Sequence, residues 1–86
     1  MDDLKRLRKN IDSLDDQILQ LLSQRVQICK VIGSAKKAQG LPIQDARREK
    51  EVYQKVKAKA VNLALSPVQV EAVYREIVNM CSSVQE

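Results

Sequence analysis

The 86-residue chain has no histidine, tryptophan or phenylalanine, and only two residues each of glycine, proline, cysteine and tyrosine. Each shortage excludes something. Without histidine there is no Ser-His-Asp relay and the commonest metal ligand is missing. No cluster of metal-ligand spacing replaces it, and two glycines do not make a phosphate-cradling loop. Nucleophilic, metal-assisted and nucleotide chemistry therefore have no visible machinery, and no cofactor is expected. The scarcity of glycine, proline and aromatics disfavours a turn-rich β fold. Cys29 and Cys81 lie far apart in a chain without disulfide-scaffold composition, so they read as buried, reduced thiols. No long uncharged apolar run occurs. Neither a membrane span nor a signal peptide is visible, and a cytoplasmic location is expected.

What is present describes one small globular domain over residues 1–86, with 44% hydrophobic and 30% charged residues. A chain this short buries a modest share of its surface, and pairing with a second copy enlarges the core. The formal charge of +4 suits nucleic acid, an acidic partner or a small polyanion about equally.

Periodicity divides the chain into three helices, an all-α class. From Asp3 to about Lys37 apolar residues recur at three- and four-residue steps: Leu4, Leu7, Ile11, Leu14, Ile18, Leu21, then Ile28, Ile32 and Ala35. That rod is roughly 50 Å long, more than a globule of this size wraps, and its heptad-like seam is suited to another helix. Gly40 and Pro42 end it. Asp45 is the expected N-cap of a second helix reaching about Ala64, with the stripe Ala46, Val52, Tyr53, Val56, Ala60 and Leu63. Ser66-Pro67-Val68-Gln69 combines a serine cap with proline at the first position and opens a third helix. Its inward residues are Val70, Val73, Tyr74, Ile77, Cys81 and Val84.

Polar groups interrupt these faces. Arg25 occupies a seam position; a guanidinium stays charged, so its burial requires an anion. Lys36 lies eleven residues on, close to three turns, with its Cα about 16 Å away on the same side. Glu49, flanked by Arg48, falls on the stripe of the second helix, and Gln85 on the inward face of the third. Arg8 sits on a flank about 26 Å from Arg25, out of reach within one straight helix, so only a second, antiparallel copy brings it to the same site. Each has an ordinary alternative. Arg25 and Glu49 suit a structural ion pair, Lys36 favours a helix C-terminus, Asp45 is a cap, and Arg8 and Gln85 suit solvent. Met together, the groups instead describe a site that positions an anion by charge and hydrogen bonding. Such a site suffices for a unimolecular rearrangement.

The motifs Leu7-Arg8-x-x-Ile11-Asp12-x-Leu14-Asp15, Leu21-Leu22-x-x-Arg25, Ile32-Gly33-x-x-Lys36 and Pro42-Ile43-x-Asp45-x-x-Arg48-Glu49 resemble the all-helical chorismate mutases over nearly the whole chain. The resemblance implies an intertwined homodimer of three-helix subunits. It also implies the cofactor-free Claisen rearrangement of chorismate to prephenate in aromatic amino-acid biosynthesis. By the same resemblance, Arg25 and a partner copy's Arg8 bind the two substrate carboxylates. Lys36 and Gln85 donate to the ether oxygen, and Glu49 accepts from the ring hydroxyl. Asp45, Arg48 and Cys81 line the site, Cys81 standing where the family often has serine.

Two rival functions remain. Isochorismate-pyruvate lyases are similar to these mutases and use similar cations on a related dianion. A basic helical dimer could instead bind nucleic acid or protein through Lys5, Arg6 and Lys9. Against that stand the absence of a helix-turn-helix pattern and the scarcity of aromatics to stack on bases, and neither nucleic acid nor membrane is expected as a partner. A larger partner enzyme of the same pathway is compatible with the sequence.

Overall fold

The computed structural model describes residues 2–86. It consists of α1 (Asp2–Gln39), α2 (Ala46–Asn62) and α3 (Pro67–Gln85). α1 contains no proline and one glycine, so nothing breaks it before Gly40. There φ turns to +70°, which glycine adopts without a Cβ penalty. The Leu41 and Gly40 N–H groups donate back to the carbonyls of Lys36 (2.8 Å) and Lys37 (3.2 Å), closing the helix end. The two later helices start as the sequence signals. Asp45 Oδ1 accepts from the Arg48 N–H at 3.1 Å, and Ser66 Oγ accepts from the Gln69 N–H at 3.3 Å.

α2 ends at Asn62, slightly short of the expected Ala64. Leu65 and Ala64 donate back to the carbonyls of Ala60 (2.8 Å) and Val61 (3.3 Å), the same closure that ends α1. The residue at its centre is Ala64, at φ +59°, not a glycine. A Cβ in the left-handed region is strained, so Ala64→Gly is expected to stabilise the fold by about 1 kcal/mol in urea unfolding. A neutral or destabilising result would mean that this turn relaxes elsewhere.

α3 packs against both other helices. Lys57 pairs with Glu71 at 3.0 Å, and the Arg75 guanidinium lies 4.6 Å from the centre of the Tyr53 ring. The residue numbers of these contacts rise on one helix as they fall on the other, so α2 and α3 are antiparallel. The Lys57 hydrogen bond, aided by Arg75, holds the Glu71 carboxyl below its ordinary pKa. Contacts between α1 and α3 instead advance together. Cys29 meets Cys81, and one turn later Gly33 meets Gln85. Here α1 and α3 are parallel.

The cysteines depart from expectation. Cys29 and Cys81 are joined in a disulfide, with Cα atoms 5.3 Å apart. Fifty-two residues separate them in sequence, and only the packing of α1 on α3 makes them neighbours. On α3, Val78 is buried although it is not among the expected inward residues, whereas Val73 is exposed.

α2 and α3 are about 26 and 29 Å long; α3 covers one end of α1, which is about 57 Å, and α2 packs on α3. On the covered part Leu22, Val26, Cys29, Gly33 and Lys36 are buried or half-buried. Along the uncovered half, Leu4, Leu7, Ile11, Leu14, Ile18 and Leu21 remain 52–63% exposed. The radius of gyration is 16.2 Å, against about 12 Å for a closed globule of this length. A single chain leaves an apolar seam without a partner. Among the described residues no helix is long and apolar enough to cross a membrane.

Candidate active site

The covered end of α1, the link into α2 and the last turns of α3 enclose a cleft of about 420 Å³. α1 contributes Arg25, Cys29, Ile32 and Lys36, the link Ile43 and Asp45, and α2 Arg48, Glu49 and Val52. α3 contributes Val78, Cys81, Ser82 and Gln85. Seven of the eight residues picked out in the sequence thus share one cleft. Arg8 is the eighth; it is exposed on the uncovered half of α1 and does not line the cleft.

Lys36 and Gln85 form the most hydrogen-bonded part of the cleft. Lys36 Nζ donates to the Ile43 carbonyl at 2.6 Å and to Gln85 Oε1 at 2.9 Å. An ammonium only donates, so the amide must turn its oxygen to Lys36 and its nitrogen away. Gln85 Nε2 lies 3.2 Å from Cys81 Sγ, leaving its second proton uncommitted. An ammonium carries three protons, and two are engaged here. One lysine proton and one amide proton therefore remain for a ligand.

Arg25 and Glu49 do not form the ion pair that the sequence permits. Among the described residues, none of the ion pairs includes Arg25, Lys36, Asp45 or Glu49. Arg25 is half-buried, and its nearest polar contact is a long approach of Nη1 to Cys29 Sγ at 3.9 Å. Arg48 is exposed and 3.6 Å from Glu51, while the Asp45 carboxylate caps α2. The cleft wall thus carries three cations against two carboxylates. A half-buried guanidinium without a carboxylate is costly unless an anion arrives. Among the described residues no group of His, Cys, Asp and Glu side chains could hold a metal ion.

Sequence reasoning missed three contributors. The Ile43 carbonyl that anchors Lys36 is a backbone atom and has no sequence signature. Gly33 was legible only as the single glycine in α1. Ser82 follows Val78 by four residues and precedes Gln85 by three, so its helical phase signalled the cleft. Cys81 lines the cleft as half of a disulfide; without an S–H it has no proton to donate.

All three helices and the link between the first two thus contribute to one cleft with an excess of cationic side chains. Residues 7–86 match the chorismate mutase type II family, and the chain belongs to it. It is 38% identical over 89 residues to a bifunctional chorismate mutase/prephenate dehydratase of Aquifex aeolicus, covering all of this chain and 25% of that protein. With a chorismate mutase of Methanocaldococcus jannaschii it shares 37% identity over 54 residues, covering 63% of this chain and 54% of that one. The chain thus spans a quarter to about half the length of these curated relatives. A solved structure of a conserved hypothetical protein from Pyrococcus furiosus superposes with a TM-score of 0.79 at 36% identity, covering 96% and 95% of the two chains.

Proposed function

We propose that this chain rearranges chorismate to prephenate, and that it does so as an antiparallel homodimer. The observation that carries the reading is the Lys36–Gln85 pair, 2.9 Å apart, with donors to spare in a cleft where neither Lys36 nor Arg25 has a carboxylate partner among the described residues. In a Claisen rearrangement the C–O bond of the enol ether breaks as a C–C bond forms, and negative charge grows on the ether oxygen. Lys36 and Gln85 donate to that oxygen. Groups already held in place stabilise the growing charge without reorganising during the reaction. Arg25 holds one substrate carboxylate and Glu49 accepts from the ring hydroxyl. Asp45 and Arg48 complete the wall. The cleft also holds the reactive conformer, which lowers the entropic part of the barrier.

The dimer supplies what one chain lacks. A second copy laid antiparallel along α1 covers the exposed seam from Leu4 to Leu21 and brings its own Arg8 to the cleft for the second carboxylate. With that residue the site carries two excess positive charges, matching a dicarboxylate.

The test follows chorismate absorbance with purified protein, identifies the product, and measures mass by ultracentrifugation. A dimer producing prephenate is expected. A folded dimer that leaves chorismate intact but releases pyruvate from isochorismate would move the reading to the lyase. Slow turnover restored by a larger enzyme of the same pathway would instead reveal a required partner.

A further inference from the structure

α3 ends at Gln85, and the carbonyls of a helix's last turn lack intrahelical partners, so such turns fray unless tied down. Two successive contacts tie this one to α1. The first is the Cys29–Cys81 disulfide, one turn before Gln85 on the same face of α3. The second is Gly33, one turn beyond Cys29. A Cβ there would lie 2.8 Å from both Cα and Cγ of Gln85, closer than atoms pack, so the two helices touch backbone to backbone. The sulfurs also adjoin both ends of the cleft. Gln85 Nε2 is 3.2 Å from Cys81 Sγ, and Arg25 Nη1 is 3.9 Å from Cys29 Sγ.

We infer that the Cys29–Cys81 disulfide is a positioning element of this site, clamping the last turn of α3 so that the Gln85 amide stays on Lys36. Turnover then depends on the redox state of the pair, an inference that rests on the function proposed above. Reduction by a dithiol breaks the S–S bond. The dithiol gives up two electrons and two protons and leaves as its own disulfide, while Cys29 and Cys81 become thiols. Two sulfurs held at bonding distance then relax to van der Waals contact. Because Gly33 leaves no slack against Gln85, α3 shifts at that residue within one turn.

The experiment compares the oxidised protein, the protein treated with dithiothreitol, and the Cys29→Ala/Cys81→Ala variant. Chorismate turnover, thiol titration and amide hydrogen exchange at residues 81–85 are read on each. Reduction is expected to release two thiols, lower kcat by about tenfold as misplaced groups do, change KM less, and speed exchange at 81–85 while helix content holds. Reoxidation restores the rate, and the variant matches the reduced form with no response to dithiothreitol. Equal kcat in both redox states overturns the inference, as do two reactive thiols before reduction. If neither form converts chorismate, the proposed function fails and exchange at 81–85 decides alone. Faster exchange on reduction supports the clamp; unchanged exchange overturns it.

Discussion

Lys36→Ala is expected to lower kcat for chorismate by about 10²–10³, roughly 3–4 kcal/mol of transition-state stabilisation, with a smaller effect on KM. The size follows from two losses at once. The proposed charged donor to the ether oxygen disappears, and so does the group that fixes the Gln85 amide, whose oxygen accepts from Lys36 at 2.9 Å. Freed from the ammonium, that amide can rotate and present its oxygen to the developing charge. Gln85→Ala alone should therefore cost nearly as much as Lys36→Ala, with the helical fold and the proposed dimer unchanged. The double substitution should fall far short of the sum, because residues acting as a unit are not additive. Steady-state kinetics on the three variants measures the coupling. Strict additivity would mean that the two donors act independently, and a loss under threefold for Lys36→Ala would remove it from the chemistry.

Arg25→Ala separates two readings of one cation through opposite effects on stability and activity. As the proposed anchor of a substrate carboxylate, Arg25 would provide a charge-assisted contact. Its loss should lower kcat/KM by about a thousandfold, near 4 kcal/mol. Removing a half-buried cation that has no carboxylate partner should leave the protein as stable as before or slightly more so. Were Arg25 a structural partner of Glu49, its removal would strand a carboxylate and cost about 3–5 kcal/mol of stability. Urea unfolding and kinetics on the same preparation decide between them. Arg25→Lys should recover part of the activity, since charge survives but the planar fork does not.

Much of the architecture was legible because its determinants are local. Asp45, Ser66-Pro67 and Gly40 mark helix ends through their own backbone and side-chain chemistry, and all three act at those places. The cleft was legible through helical phase. Lys36, Glu49 and Gln85 each fell on a face that should have been apolar, and the structure gathers them around one space. What escaped depends on how the helices meet. The seam from Leu4 to Leu21 is regular in sequence, yet α3 packs on the neighbouring face through Cys29 and Gly33. Nothing local announces a bond between residues on different helices, so Cys29 and Cys81 read as thiols. The left-handed Ala64 was hidden for the opposite reason: the position wants glycine, and the sequence supplies a good helix former.

Because α1 runs unbroken from Asp2 to Gln39, a change of length within it is never local. One residue inserted between Leu14 and Leu21 turns everything before it by about 100° and shifts it by about 1.5 Å. The apolar seam leaves its face, and Arg8 leaves its angle relative to Arg25. A seven-residue insertion nearly restores the angle but carries Arg8 about 10.5 Å further along the axis. Rotation and translation cannot both be kept by any insertion. In the proposed dimer α1 therefore works as a fixed gauge between two sites, free to change its surface residues but not its length.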